Sequence, residues 1–278
     1  AEDGVELVRE RVTQAEFDPL PGVYPGKNCV MMGDLTCRPI TLADGTILVP
    51  CQVSPLGPDG NYYNPGGGYT YTQAGVIRGR WAGARLNWEL SQLVDCEPGL
   101  STRGMIEPTL AVLADGRILM VMRGSNDVKQ TLPGYRWHSF SSDGGRTWTT
   151  PVPWTYTDGE KFFSPSSCSQ LLAHSTGALY WLGNISPGNP RGNGPRYPFV
   201  IGEVDRHSGL LKRESVGVID DRQPGEDERL TLSNFYARED RETGELVLHL
   251  SRLFARPSPA HDWTADALQY RVQMEHRG

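Results

Sequence analysis

The chain lacks the features that a membrane span or a nucleic-acid surface would require. No apolar run approaches the roughly 20 residues that cross a bilayer. No Lys/Arg-rich run interrupts a formal net charge of −6, so phosphates would meet no basic face. An acidic balance still allows a small anionic ligand, because a few local arginines suffice to hold one. Helical periodicity is scarce, with no stretch of about 12 residues sustaining apolar spacing at i, i+3, i+4 and i+7. Cysteines number five, Cys29, Cys37, Cys51, Cys96 and Cys168. They are odd in number and lack paired metal-site spacing, so they read as buried thiols, with a disulfide as the alternative. The six histidines are scattered, and no zinc-ligand spacing, GxxxxGK[ST] loop or GxSxG elbow is present. The opening AEDGVELVRE has neither Met nor the apolar core of a signal peptide, as expected of a chain whose leader has been removed or whose sequence starts within a longer protein. Secreted, periplasmic and cytoplasmic locations all fit.

Turn formers are abundant. Thirty-two glycines and 21 prolines are spread along the 278 residues, and many turns in an ordered chain mean many short strands. The expected class is all-β. Four segments share one design of apolar strand, glycine turn and apolar strand: CRPITLADGTILVPCQ, EPTLAVLADGRILMVMR, CSQLLAHSTGALYWLGN and SNFYAREDRETGELVLHLSR. Their turn glycines, Gly45, Gly116, Gly177 and Gly244, are separated by 71, 61 and 67 residues. That period suits β-propeller blades, each a small antiparallel sheet set radially about a channel. Residues 1–278 are expected to form one propeller domain.

The octapeptide SSDGGRTW, Ser141 to Trp148, asks for more than a generic turn, for which an Asp-Gly pair would do. Its Ser141, Asp143, Gly145, Thr147 and Trp148 match S-x-D-x-G-x-T-W at every defining position, and this resembles the Asp-box of sialidases and related BNR-repeat propellers. The resemblance implies a turn between outer strands of a blade, with the Asp binding turn backbone and the Trp packing between sheets. ARLNWELS around Trp88 reads as a degenerate copy lacking the Asp. The family fold has six blades; four are evident here, so the N-terminal blades are expected to be missing from this sequence, with a reduced propeller as the alternative.

Candidate chemistry lies elsewhere. If EPTLAVLADGRILMVMR turns at Asp115-Gly116, residues equidistant from the turn are cross-strand neighbours, and Glu107 and Arg123 emerge together at the open end. The positions seven after each turn glycine, Gln52, Arg123, Asn184 and Ser251, are polar and suggest a ring at one mouth of the channel. On pattern alone, the Glu107–Arg123 pair is equally a plain ion pair at a sheet end. Sialidases carry Glu and Arg at this spacing, and the resemblance implies that Glu107 activates a nucleophilic tyrosine while Arg123 is one of three arginines on the substrate carboxylate. Arginine suits that task because its planar fork matches two carboxylate oxygens.

By the same resemblance Arg196, ahead of YPFVIGEV, fits a second carboxylate-binding arginine better than Arg191, and Tyr236 in LTLSNFYARED is the candidate nucleophile, although it is one residue out of step with Glu107. Arg103, Asn184 and Asn234 complete the expected substrate-binding set. The Arg-Ile-Pro segment and the acid/base Asp of the family are not found; Arg38, Arg103 and Asp34 are the fallback positions. The expected function is sialidase-like exo-hydrolysis of a terminal acidic sugar from a glycan, without a metal or cofactor. The alternatives are a propeller hydrolase or lyase on uronic-acid polysaccharides and a non-catalytic glycan-binding propeller.

Overall fold

All four turn glycines occupy the left-handed region, with φ of 80°, 87°, 89° and 72° at Gly45, Gly116, Gly177 and Gly244, where a side chain would be strained. Two of these turns are fixed alike by the preceding aspartate: Thr46 N–H donates to Asp44 Oδ1 and Arg117 N–H to Asp115 Oδ1, each at 3.0 Å. The computed structural model describes residues 30–32, 36–258 and 262–274; Cys29 and Asp34 lie outside them.

The hairpins seed four antiparallel sheets in the arrangement of a four-bladed propeller. Blade 1 holds β1 (Val30–Met31), β2 (Ile40–Thr41), β3 (Ile47–Val53), β4 (Gln73–Ala82) and β5 (Arg85–Leu90). Blade 2 holds β6 (Ile106–Val112), β7 (Ile118–Arg123), β8 (Arg136–Ser141) and β9 (Val152–Pro153). Blade 3 holds β10 (Gln170–Ala173), β11 (Leu179–Asn184), β12 (Phe199–Glu203) and β13 (Gly217–Asp220). Blade 4 holds β14 (Phe235–Glu239), β15 (Leu246–Leu253) and β16 (Ala265–Val272). The one helical turn among the described residues is Arg213–Ser215, and no helix there is long and apolar enough to cross a membrane.

Apolar side chains fill the spaces between successive blades. In β7 alternate residues serve two cores: Ile118, Met120 and Met122 face Leu48 and Val76 of blade 1, while Leu119 and Val121 face Leu171 and Trp181 of blade 3. The next space repeats the device, with Leu179 and Trp181 of β11 turned to blade 2 and Tyr180 and Leu182 to Phe235 and Leu248 of blade 4. A strand buried on both faces reads as a continuous apolar run, which is why ILMVM and LYWL do not alternate. Blade 4 has one buried face, so β14 does alternate: Phe235 and Ala237 are in, Tyr236 and Arg238 out. Each fully buried large apolar side chain contributes about 1.5–3 kcal/mol.

The Ser141–Trp148 turn joins β8 to β9. Asp143 Oδ1 accepts from the N–H groups of Arg146 and Thr147, both at 3.0 Å, and from Ser141 Oγ at 2.8 Å. Its Oδ2 accepts from Thr147 Oγ1 at 2.6 Å. Trp148 packs in the core between blades 1 and 2. In blade 1 the equivalent place is a short turn with Gly83 at φ 63°, and Trp88 lies in β5 across from Gly79. The four described cysteines, Cys37, Cys51, Cys96 and Cys168, are all buried.

Candidate functional site

The β6–β7 hairpin brings Glu107 and Arg123 together, by a different register from the one expected. Its ladder runs regularly from Val112↔Ile118 to Thr109↔Val121, then shifts, so that Ile106 and not Glu107 lies opposite Arg123. Pro108 has no N–H to give the ladder, and the bulge absorbs it. Glu107 is left at φ 48°, a left-handed conformation that costs a non-glycine residue about 1–2 kcal/mol. Its N–H donates to Gln52 Oε1 of blade 1 at 2.7 Å. Within the bulge its carboxylate turns back onto Arg123 and forms an ion pair through Oε1. Both side chains are largely buried, with 12% and 9% exposed. Glu107 Oε2 is buried and has no hydrogen-bond partner.

Arg123 faces blade 3, as the parity of β7 requires. Its Nε donates to Ser166 Oγ at 2.7 Å and its Nη2 to Asn193 Oδ1 at 3.2 Å. Arg196 uses the same two residues: its Nη2 donates to the Ser166 carbonyl at 3.0 Å and its Nε to the Asn193 carbonyl at 3.0 Å. Its Nη1 reaches Ser233 Oγ at 2.9 Å, whose neighbour Asn234 is exposed. Arg123 and Arg196 therefore stand side by side, held by one serine and one asparagine. The loop carrying Asn193 is itself fixed by Asn126, whose Oδ1 accepts from Gly192 N–H at 2.8 Å and whose Nδ2 donates to the Pro190 carbonyl at 2.9 Å.

Arg103 adds a third guanidinium on the blade 1 side. Its Nη2 donates to Thr70 Oγ1 at 2.5 Å, and it lies 5.8 Å from the ring of Tyr69, which is 88% exposed. Burial lowers the pKa of Arg103, and the nearby Arg123 charge lowers it further. A fourth, Arg136, is completely buried; burial first and then Arg123 push it down to about 9. Among the described residues, the guanidiniums of Arg103, Arg123, Arg136 and Arg196 outnumber the neighbouring carboxylates of Glu107 and Asp127, so these residues set a surplus of positive charge in a poorly solvated place. Such a place favours an anion.

Other expected residues stand elsewhere. Tyr236 does not meet Glu107: the pleat of β14 sends Phe235 into the core and Tyr236 to the opposite face, where its ring lies 5.7 Å from the Arg38 guanidinium. Among the described residues no hydrogen bond links it to Glu107, Arg123 or Arg196. The single-residue offset leaves Phe235 facing the core and Tyr236 on the other side of the strand, where the expected partner Glu107 is not among its hydrogen-bonded neighbours in the described residues. Arg38 is with Tyr236, beside Arg238 and Glu239. Asn184 is fully buried, and its Nδ2, with two hydrogens shared among the carbonyls of Arg196, Pro198 and Leu232, anchors the Arg196 loop, while its Oδ1 is buried without a partner. Sequence reasoning missed Ser166, Asn193 and Arg136. Their local signals are the serine-rich SPSSCSQ before β10, the glycine- and asparagine-rich loop that carries Asn193, and an arginine preceding WHSF in β8.

A model of the BNR repeat-like domain matches residues 16–234. The chain belongs to the BNR repeat-like domain family. Its BNR repeat-like fold is also that of several solved glycan-active proteins. The NanB sialidase from Streptococcus pneumoniae superposes with a TM-score of 0.53 at 14% identity, covering 85% of this chain and 30% of that one. The intramolecular trans-sialidase from Ruminococcus gnavus gives 0.51 at 15% identity, covering 85% and 43%. An N-acetylgalactosamine deacetylase from F. plautii gives 0.51 at 10% identity, covering 91% and 70%. No curated protein matches the chain. At these identities the likeness is one of fold, and the BNR repeat-like chain spans less than half the length of either sialidase.

Proposed function

We propose that this chain carries the carboxylate-recognising part of a sialidase-like glycosidase site, acting on a terminal acidic sugar of a glycan. The observation that carries the reading is the pairing of Arg123 with Arg196 through Ser166 and Asn193. A carboxylate is planar and bidentate, and guanidinium forks are its best match. Arg123 has five N–H groups, of which those to Glu107, Ser166 and Asn193 are engaged; one N–H on each of Nη1 and Nη2 is left for the ligand in this reading. Arg103 adds charge from the blade 1 side, and the exposed Tyr69 beside it offers an apolar face to a sugar ring.

In this reading Glu107 has two tasks. One oxygen orients Arg123, and the other, Oε2, buried and unpartnered without a ligand, accepts a hydroxyl proton once a bound sugar reaches it past Arg123. A carboxylate fixed by an ion pair on one oxygen and unpartnered on the other is suited to such acid/base work. The nucleophile is not assigned to Tyr236, whose ring lies against Arg38. Binding should therefore outlast turnover in this chain. Calorimetric titration with N-acetylneuraminic acid, its methyl ester and glucuronic acid tests the reading. Binding of the free acid, loss with the ester and loss in Arg123→Ala are expected. Equal binding of acid and ester would overturn it, and preference for glucuronic acid would move the substrate to the uronic acids.

A further inference from the structure

Arg136 is an arginine where an aliphatic residue would fold better. It is 1% exposed, lies in β8 directly across the ladder from Arg123, and forms no ion pair among the described residues. Its guanidinium sits 5.9 Å from the ring of the buried Trp181, and its Nη1 has no hydrogen-bond partner. Like charges opposite one another on a ladder destabilise a sheet, and a buried charge without a counter-charge costs several kcal/mol. The contacts of Arg136 point to what is gained. Its Nε donates to Ser164 Oγ at 3.0 Å and its Nη2 to Ser167 Oγ at 2.9 Å. Those serines flank Ser166, whose hydroxyl holds Arg123 and whose carbonyl holds Arg196.

We propose that Arg136 is a positioning residue for anion recognition: it clamps residues 164–167 on both sides of Ser166 and so fixes the spacing of the Arg123 and Arg196 forks. The neighbouring hydrogen bonds support a clamp with one variable part. Ser164 N–H is already tied to the Gly134 carbonyl and Ser166 N–H to the Gly192 carbonyl, each at 2.9 or 2.8 Å. The backbone is thus anchored to blade 2 and to the Arg196 loop, while Ser164 Oγ, which donates to the Asn184 carbonyl at 2.7 Å, and Ser167 Oγ, which donates to the Pro165 carbonyl at 3.4 Å, both turn their lone pairs to Arg136. The charge of Arg136 also adds to the field that an incoming carboxylate meets. Burial and Arg123 both disfavour that charge, as expected of a group retained for the ligand's sake rather than for folding.

The inference rests on the carboxylate-binding reading above, and its test separates the two. Arg136→Met keeps a stem of similar length to pack on Trp181 and removes the fork and the charge; Arg136→Lys keeps the charge without the fork. The thermal midpoint of Arg136→Met is expected to equal or exceed that of the unsubstituted chain. Its affinity for N-acetylneuraminic acid should fall on the order of tenfold, the equivalent of one lost charge-assisted hydrogen bond. The uncharged methyl ester should stay as weak a ligand as it is for the unsubstituted chain, and amide hydrogen exchange in 164–169 should quicken. Arg136→Lys should recover part of the affinity and none of the exchange protection. Unchanged affinity with unchanged exchange, or a lowered midpoint that accounts for the whole loss, would overturn the proposal; if Arg136→Met does not fold, the same readouts on Arg136→Lys decide it. Should the unsubstituted chain fail to bind N-acetylneuraminic acid, the functional reading falls, and the clamp stands or falls on exchange in 164–169 alone.

Discussion

Replacing Asp143 by alanine removes the acceptor that closes the Ser141–Trp148 turn. Four donors converge on that carboxylate: the Arg146 and Thr147 amides, Thr147 Oγ1 and Ser141 Oγ. The turn also ties blade 2 to blade 1, because Arg78 Nε donates to the Gly144 carbonyl at 2.9 Å and Gln92 N–H to the Arg146 carbonyl at 2.9 Å. Hydrogen bonds to a charged group contribute about 1.5–3 kcal/mol each when sheltered, but this turn is half-exposed and water replaces much of what is lost. A net cost of about 2 kcal/mol for Asp143→Ala follows, and about 1 kcal/mol for Asp143→Asn, which keeps one acceptor oxygen. By the usual scaling that lowers the thermal midpoint by about 4–8 °C for the alanine variant.

The same carboxylate sets a pH dependence. Partial burial raises the pKa of Asp143, but the hydrogen bonds from Thr147, Ser141 and Arg146 outweigh it and hold the group well below the usual carboxylate range. A depressed folded-state pKa contributes stability that is present above the unfolded value, near 3.8, and is lost as pH falls through the folded one. The difference between the unsubstituted chain and Asp143→Ala in urea denaturation should therefore be full at neutral pH and shrink below about pH 4. An unchanged midpoint at pH 7, or a stable variant that has lost its ligand, would refute the reasoning, because it would make the turn a functional rather than a structural element.

Arg123→Ala should abolish binding of N-acetylneuraminic acid and also destabilise the fold by about 3–5 kcal/mol, since it leaves the Glu107 carboxylate buried and unpaired; chemical denaturation of the single variant and of Arg123→Met with Glu107→Gln checks this, the double variant being expected to be the more stable. Gly104→Ala should cost several kcal/mol, about three or more, because a Cβ there would lie 2.2 Å from the Thr72 carbonyl oxygen at a φ of 65°. Gly45→Ala, at a φ of 80° with open space around it, should cost only about 1 kcal/mol, and equal thermal shifts for the two would contradict the packing described for Gly104. Leu119→Ala should lose about 2–5 kcal/mol through the cavity it opens between blades 2 and 3, as read from its denaturation midpoint.

The blades were legible because their signals are local. A glycine at each left-handed turn and strands that are apolar on both faces can be read without knowing the neighbours, and β7 and β11 follow from that reading. The Glu107–Arg123 pair was legible from hairpin symmetry, although the ladder that delivers it is not symmetric: the bulge at Glu107-Pro108 shifts the register, and the carboxylate reaches Arg123 from a left-handed backbone. What stayed hidden comes from separate blades or from strand parity. Ser166, Asn193 and Arg136 meet only once blades 2 and 3 pack, and no spacing along the chain links them. Tyr236 shares a segment with the expected nucleophile position, yet one residue decides which face it occupies. Asn184 carried the right polarity at the right offset, but its amide closes the Arg196 loop.

The central claim is that the Arg123–Arg196 pair between blades 2 and 3 receives a carboxylate. A diffraction structure of the chain with N-acetylneuraminic acid tests it most directly. Both carboxylate oxygens are expected within about 3 Å of the two guanidiniums, with Ser166 and Asn193 unmoved. A sugar bound with its carboxylate away from both arginines, whether in the cavity beside Arg38 and Tyr236 or elsewhere on the propeller, would contradict it.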